Sequence, residues 1–420
     1  MTAPSARGNL SHSQSLFKFM TREEFEILTD PDVRKLIAEN LGRDPAEVAM
    51  RTGRPHAALV ATQVKYLQRA RRKLPSFHAA QCILPPRAFE QASSEVSAAR
   101  MAFSGDLCID LTCGLGVDAW TLSRRFRRVV AVERDPVTAA VAEYNFGLLG
   151  ADHIEVVTAS AEEFLGHMES AGTPPADLIY VDPDRRDAKE RKRVTLEALS
   201  PDVGALLPRL RSAARRVVVK LSPLFDVEEA LRIFGPACRV EVVSEEGECK
   251  QVVVEMGEGV DRPLIRATVI GRHPEPWSVE YPLETASGNT DKVMNPAMFS
   301  RLIVPDVALQ KARLVRRYFG KRGMYAPGEN GFVFAENSEI EAACEPLPGR
   351  TYAIKQIEPF HPKTLKKLFK EHGIRRITVL KRDFPHPAAE ITKLLGVNEG
   401  GDAAIAFTVL DGERVAILLC

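Results

Sequence analysis

From Arg22 to about Ala102 the apolar positions recur at spacings of three and four, as in Phe25, Ile27 and Leu28 and again in Val33, Leu36, Ile37 and Ala38. That period predicts helices, and no run of alternating β-branched residues interrupts them. The block closes on a basic helix, Lys65 to Arg69 with Arg71, Arg72 and Lys73, which should stop at Leu74-Pro75 because proline lacks the N–H a helix needs. At Asp106 the pattern changes to short apolar runs alternating with helical segments. Leu107–Leu111, Arg128–Val132, Ile154–Val157, Leu178–Val181 and Arg216–Leu221 read as the core strands of a doubly wound sheet. Two more, Arg239–Val243 and Gln251–Met256, are separated only by Ser244 to Lys250, too short a link for a parallel crossover, so one of them must run antiparallel. His273 to about Pro348 is rich in Pro, Gly and Asn with one helix near Asp306–Phe319. Regular elements then return at Tyr352–Ile357, Pro362–His372, Arg376–Leu380, Ala388–Leu395, Ala403–Leu410 and Val415–Leu419.

Composition narrows the class without naming a partner. The 420 residues are 45% hydrophobic and 27% charged, with Lys+Arg 57 against Asp+Glu 56, so no net field draws the chain to nucleic acid or membrane. No apolar run approaches the roughly 20 residues needed to span a bilayer. Met1 to Ser15 are small and polar and read as a disordered tail rather than a secretory signal. Seven cysteines without a Cys-x-x-Cys pair argue against a disulfide framework or a structural zinc, so the expectation is a reducing cytoplasm and no metal.

The candidate chemistry begins where the first strand ends, in Asp110-Leu111-Thr112-Cys113-Gly114-Leu115-Gly116-Val117-Asp118, followed by an amphipathic helix. Glycines there let a backbone approach a ligand closely. Gly114-x-Gly116-x-x-Ala119 fits a dinucleotide fingerprint as well as a methionine-type cofactor loop, and Glu133, about 20 positions on, suits a ribose hydroxyl pair under either reading. A nicotinamide site has no use for an acid before the first glycine, yet Asp110 stands there, suited to an amino group directly or through water. After the fourth strand comes Asp182-Pro183-Asp184-Arg185-Arg186, a polar loop at the carboxyl edge where ligands of open α/β sheets bind. S-adenosylmethionine is thereby favoured over NAD.

At these residues the sequence resembles the class I S-adenosylmethionine-dependent methyltransferases that carry a C-terminal THUMP-like domain. The resemblance runs over nearly the whole chain after the polar tail. Its carriers are Lys73-Leu74-Pro75, the run Pro85-Pro86 to Glu95, Asp110 to Asp118, Asp182 to Arg186, Lys220-Leu221-Ser222-Pro223, Glu248-Cys249-Lys250, Lys381 to Pro385 and Gly400-Gly401-Asp402. Around Cys113-Gly114-Leu115-Gly116 it is also similar to the trimethylguanosine-synthase type. The resemblance implies an α/β fold: a Rossmann-like class I methyltransferase sheet with an N-terminal helical domain and C-terminal small α+β (ferredoxin-like/THUMP-like) domains. The expected division is a tail at 1–15, a helical domain at 16–100, the methyltransferase domain at 101–272, a linker or ferredoxin-like region at 273–350 and the THUMP-like domain at 351–420. It implies a cofactor site at Gln91, Ser93, Ser94, Asp110, Thr112, Cys113, Gly114, Gly116, Asp118, Glu133, Arg134, Ser160 and Ala161. Gln91, Ser93, Ser94 and Glu95 are expected to form a lid over the methionine carboxylate. Asp182, Pro183 and Arg185 are the expected catalytic residues, with Arg186 and Lys220 on the substrate.

Two departures from related patterns bear on the acceptor. Enzymes that methylate amino groups in nucleic acid carry an aromatic residue after Asn/Asp-Pro-Pro, whereas Asp184 and Arg185 stand here. Those that methylate pyrimidine carbon need a cysteine, and Lys220-Leu221-Ser222-Pro223 has none. Ser160 stands where many relatives place an Asp facing the adenine amino group. Positive charge is segregated into clusters at Arg185 to Arg193, Arg209 to Arg216, Lys311 to Arg322 and Lys363 to Arg382. Lys363, Lys366, Lys367 and Lys370 fall on one helix face, a spacing suited to a phosphate backbone. The expected partner is therefore RNA. The alternatives are a non-catalytic RNA-binding protein that keeps a cofactor pocket, and a small-molecule methyltransferase. Cys113 reads as a small turn residue and Trp120 as core.

Overall fold

The computed structural model describes residues 19–51, 56–185, 196, 199–271, 275–283, 298–343, 346–401 and 403–420. The tail expected at 1–15, Arg186 and Asp402 lie outside the described residues. The chain forms two compact units, Met1–Leu221 with Val254–Asp261, and Ser222–Val253 with Arg262–Cys420.

The first unit opens with seven short helices: α1 Arg22–Thr29, α2 Pro31–Asn40, α3 Pro45–Arg51, α4 Ala57–Lys73, α5 Pro75–Ala79, α6 Pro86–Gln91 and α7 Glu95–Ala99. Local chemistry sets their ends. Thr21 and Glu24 form a reciprocal capping box on α1, and the Asp30 carboxylate accepts the Asp32 and Val33 N–H groups at the start of α2. Helix α4 buries Val60, Val64 and Leu67 and ends at Lys73, two residues before Pro75.

Five parallel strands follow: β1 Gly105–Asp110, β2 Phe126–Glu133, β3 Ile154–Thr158, β4 Ala176–Val181 and β5 Ala214–Leu221, in the order β5-β4-β1-β2-β3. The intervening helices are α8 Val117–Ser123, α9 Pro136–Leu148, α10 Ala161–Ser170 and α11 Val203–Ala213. Strand order reverses between β1 and β4. Asp110 at the end of β1 is level with Tyr180 of β4 and Ala131 of β2, so the loops after these strands open on one carboxyl edge. Two buried amides hold the segment at Ile83 and Leu84, one from α9 beside the sheet and one from α4 within the helical block. The Asn145 side chain of α9 accepts the Ile83 N–H at 2.8 Å and donates to the Ile83 carbonyl at 2.9 Å. Gln63 of α4 does the same for Leu84, at 2.9 and 3.1 Å.

Helix α12 Val227–Phe234 of the second unit is followed by β6 Cys238–Glu245 and its sheet neighbour β7 Glu248–Gly257. Both run further than the expected strands, leaving Glu246-Gly247 as a two-residue turn with φ 55° and 84°, the left-handed pair that a tight hairpin demands. Two strands missing from the pattern reading follow, β8 Leu264–Ile270 parallel to β6 and β9 Trp277–Pro282 antiparallel to β8. Prolines at 263 and 276 hide them by breaking the apolar period at their starts.

A separate sheet holds β10 Arg301–Pro305, β11 Val333–Ala335, β12 Gly349–Pro359, β13 Arg376–Lys381, β14 Ala403–Leu410 and β15 Glu413–Leu419, ordered β11-β10-β12-β15-β14-β13 and completed by the short strand Asn398–Glu399. The Pro/Gly-rich stretch thus supplies β10 and β11 to the sheet that the C-terminal elements complete. The single helix expected near Asp306–Phe319 is two, α13 Val307–Lys311 and α14 Val315–Gly320, because Arg313 adopts φ 54° between them. Helices α15 Pro362–Glu371 and α16 Ala388–Leu395 bury Leu365, Phe369, Ile391 and Leu395 with Ile377, Ile405 and Phe407. Among the described residues no helix is long and apolar enough to cross a membrane.

Candidate active site at the ends of β1 and β4

A cavity of about 460 Å³ opens at the carboxyl edge of the first sheet. Its walls are the β1–α8 loop from Leu111 to Asp118, the end of β2 with the start of α9, Ala159 to Glu162, the post-β4 residues Asp182 and Asp184, and Phe19, Arg87, Gln91 and Ser93 of the helical block. That size suits a small ligand or cofactor.

The β1–α8 loop is braced from beneath. Asp110 Oδ1 accepts the Thr112 N–H at 2.9 Å, and Glu133 Oε2 accepts the Gly114 N–H at 2.9 Å while its Oε1 takes the Asp135 N–H at 2.9 Å. Gly116 has φ 85°, and a Cβ there would come within 2.5 Å of the Phe146 ring, so this position admits only glycine. At Gly114, with φ 54°, a Cβ would meet nothing nearer than the Thr112 carbonyl at 4.0 Å, leaving open space for a ligand.

Beside this loop sits an interlocked set of charges. Asp182 forms an ion pair with Lys220 of β5, whose ammonium also donates to Ser93 Oγ at 2.9 Å and lies 4.0 Å from Asp118. Ser93 in turn donates to Asp118 at 2.8 Å, and the Asp182 N–H donates to Thr112 Oγ1 at 2.6 Å. Burial pushes the Asp182 carboxyl up to about 6, against the pull of Lys220. Burial also works against the Lys220 charge, but Asp182 and Asp118 outweigh it and its pKa is raised. Deeper still, Asp110 Oδ2 and the Tyr180 hydroxyl are buried with no hydrogen-bond partner. Burial lifts Asp110 to about 8 and Tyr180 well above its usual value. An unpartnered buried carboxylate oxygen at a ligand loop is costly unless a bound group completes it.

Comparison with known proteins fits this architecture. A solved chain from Porphyromonas gingivalis W83, a candidate methyltransferase, superposes with a TM-score of 0.76 at 24% identity, covering 96% of this chain and 99% of that one. The chain has the methyltransferase fold. Residues 349–420 match the family model described as "THUMP domain-like". An uncharacterized S-adenosylmethionine-dependent methyltransferase of Mycobacterium tuberculosis is 28% identical over 264 residues, 60% of this chain and 65% of that protein. The ribosomal RNA small subunit methyltransferase J of Shewanella amazonensis is 34% identical over 151 residues, 32% of this chain and 58% of that protein. The match thus spans under two thirds of either relative. Relatives and fold together imply S-adenosylmethionine as the cofactor, and the open space at Gly114 and the Glu133 carboxylate on the cavity wall fit that group.

Within the methyltransferase fold, the cavity gathers Gln91, Ser93, Thr112, Cys113, Gly114, Gly116, Asp118, Glu133, Arg134, Ser160, Ala161 and Asp182. Several take roles other than those expected. Asp110 lies behind the loop instead of on its surface, because it is turned to Thr112. Ser94 accepts the Ser97 N–H as the cap of α7, Glu95 accepts the Ser76 and Phe77 N–H groups at the start of α5, and neither lies on the cavity wall. Ser160 forms a capping box with Glu163, so its hydroxyl is already engaged. Arg134 donates to Ser200 at 2.7 Å. Lys220, expected on the substrate, is the partner of Asp182. Buried Cys113 has its thiol pushed well up by desolvation, which suits a turn residue and not a nucleophile. Trp120 is core, edge-on to Phe77. Among the described residues no group of three His, Cys, Asp or Glu could hold a metal.

The basic clusters also divide. Arg209, Arg215 and Arg216 pair with Glu169, Asp177 and Glu255. Arg313 pairs with Glu228, and Arg317 and Arg322 lie over tyrosine rings. Lys363, Lys366, Lys367 and Lys370 stay exposed on α15, with Leu365 and Phe369 buried on the other side. Sequence reasoning missed Phe19 and Arg87 on the cavity wall. Arg87 sits inside the run Pro85 to Glu95 that carried the resemblance, but only the fold brings Phe19 beside it.

Proposed function

We propose that this protein is a cytoplasmic S-adenosylmethionine-dependent methyltransferase acting on RNA. The observation that carries the reading is Asp182: a carboxylate on the wall of the cofactor-sized cavity, anchored by Lys220 and by its own N–H to Thr112. The names of the relatives support the chemistry. The activities of the relatives on ribosomal RNA in Shewanella and, for a Yersinia pestis protein 33% identical over 93 residues, on tRNA/tmRNA uracil support the RNA acceptor, as does the THUMP-like match.

The cofactor, when bound, supplies a methyl group already activated on a sulfonium. The chain must then align an acceptor lone pair with that methyl and exclude water. Glu133 keeps lone pairs for ribose hydroxyls beyond the two backbone N–H groups it accepts. Asp182 orients the acceptor, with the Pro183 carbonyl beside it, and takes up a proton where the acceptor sheds one. Arg185 and Arg186 meet a substrate phosphate, and the α15 lysines recruit the RNA backbone. Residues 351–420 serve as the recruiting domain.

The test is labelled methyl transfer to RNA extracted from a deletion strain, beside calorimetry with S-adenosylhomocysteine and NAD. Label in RNA, lost in Asp182→Asn, with homocysteine-nucleoside binding and none for NAD, is the expected result. Label found only in small molecules, or a preference for NAD, sinks the reading.

A further inference from the structure

The post-β4 loop lacks the aromatic residue that would stack an acceptor base, yet the cavity wall carries one from elsewhere. Phe19, just before α1, lines the same cavity as Asp182 and is 54% exposed. The Arg87 guanidinium lies over its ring, 4.1 Å from the centroid. Arg87 is itself positioned. Its Nε donates to Gln91 Oε1 at 3.3 Å, its Nη2 lies 4.0 Å from Asp184 Oδ2, and Gln91 Nε2 donates to Asp184 Oδ1 at 3.4 Å. Asp184 is two residues past Asp182, so this chain of contacts links the guanidinium and the aromatic ring to the loop that carries Asp182.

We infer that Phe19 and Arg87 form the stacking platform for an unpaired nucleobase of the acceptor RNA, taking the place of the aromatic residue absent after Asp182-Pro183. The inference rests on the methyltransferase reading and adds its acceptor class: a base out of its helix, not a sugar hydroxyl or a phosphate. Of the large apolar side chains left exposed among the described residues, Phe19 is the one on the cavity wall, and it carries a cation over its ring. A flat π-surface edged by a fixed guanidinium is what base recognition in single-stranded RNA uses, because every base has a π-face and Arg stacks as well as aromatics do. Gln91 and Asp184 hold the guanidinium in plane, so its orientation is set before the base arrives.

The experiment compares wild type with Phe19→Leu, Phe19→Tyr and Arg87→Met. Each is assayed for kcat/KM in labelled transfer to deletion-strain RNA, for S-adenosylhomocysteine affinity and for melting temperature. Losing a stacked aromatic costs on the order of tenfold in base binding. Phe19→Leu should therefore lose about tenfold or more in kcat/KM while Phe19→Tyr stays within about threefold, with homocysteine-nucleoside affinity and melting unchanged in both. Arg87→Met should lose a similar factor in KM. If Phe19→Leu is as active as wild type, or if its loss appears equally in S-adenosylhomocysteine affinity, the platform is wrong and Phe19 is only a cofactor wall. If wild type binds S-adenosylhomocysteine but labels no RNA, the RNA reading fails first, and the two failures are distinct.

Discussion

The Asp182–Lys220 network and the lysine face of α15 are both concentrations of charge, and water treats them oppositely. In the first, each ion has lost most of its hydration and is held by named partners: Lys220 touches Asp182, Ser93 and Asp118 at once. In the second, four lysines stand in solvent, and Lys367 makes one long contact of 3.9 Å to Glu371. Desolvated charges are strongly coupled, so removing one disturbs all the others. Solvated charges act nearly independently and respond to salt. The first pattern belongs to a site where single atoms matter, the second to a surface where number matters.

The sharpest break of this contrast is Asp182→Asn. It should lower methyl transfer on the order of 1,000-fold, within the range for a general base or acceptor-orienting group, with S-adenosylhomocysteine affinity within about threefold by calorimetry. In wild type, the rate should rise with pH through about 6, where the carboxyl ionises.

Lys220→Met comes next. It leaves Asp182 and Asp118 without their cation and should destabilise the protein by about 3 kcal/mol at pH 8. Because Lys220 holds the Asp182 pKa down, its loss raises that pKa further. The folded state then binds a proton over a wider range, and the deficit should shrink as pH falls towards 5, readable by melting across pH. A deficit that does not change with pH would detach Asp182 from Lys220.

Asp110→Asn should work in the opposite direction. The folded carboxyl sits at about 8 against about 3.9 in an unfolded chain, so the folded state holds more protons between those values and wild-type stability falls as pH rises through them. The variant should be more stable than wild type by about 1–3 kcal/mol at pH 8, the difference vanishing towards pH 4, while cofactor affinity drops. The smallest effects belong to α15. Each of Lys363, Lys366, Lys367 and Lys370 replaced by Gln should change stability by less than about 0.5 kcal/mol. Each should also lower the log–log salt slope of RNA binding by about 0.7 to 0.9. An unchanged slope with all four replaced would reduce the stripe to a solvated surface.

The same contrast explains what could be read in advance. The five parallel strands and the loops ending them were legible because a buried strand is a continuous apolar run and a ligand loop interrupts it with Gly and Asp. The α15 stripe was legible because helical spacing alone places four lysines together. Hidden were the contacts between residues distant in the chain: Lys220 with Asp182 and Ser93, Phe19 with Arg87, and the pairing of Arg209, Arg215 and Arg216 with acids. Helix caps overlap the expected site residues. Ser94, Glu95 and Ser160 are polar residues near a ligand loop, and a hydroxyl or carboxylate that caps a helix looks the same in sequence as one that holds a ligand. The split of one helix into α13 and α14 turned on the backbone of Arg313 alone.

The paired amides of Asn145 and Gln63 have a consequence for how this protein can be altered or inherited. Each satisfies both backbone groups of one residue of the segment at Ile83 and Leu84, and the Asn145 pair joins the helical block to α9 through backbone groups that no side-chain change at 83 can undo. Bending the chain there would break the two buried hydrogen bonds to Asn145. It follows too that the block is not a cassette. Excising it would uncover Asn145, fully buried in the intact chain, and hand its amide to water in place of the Ile83 backbone.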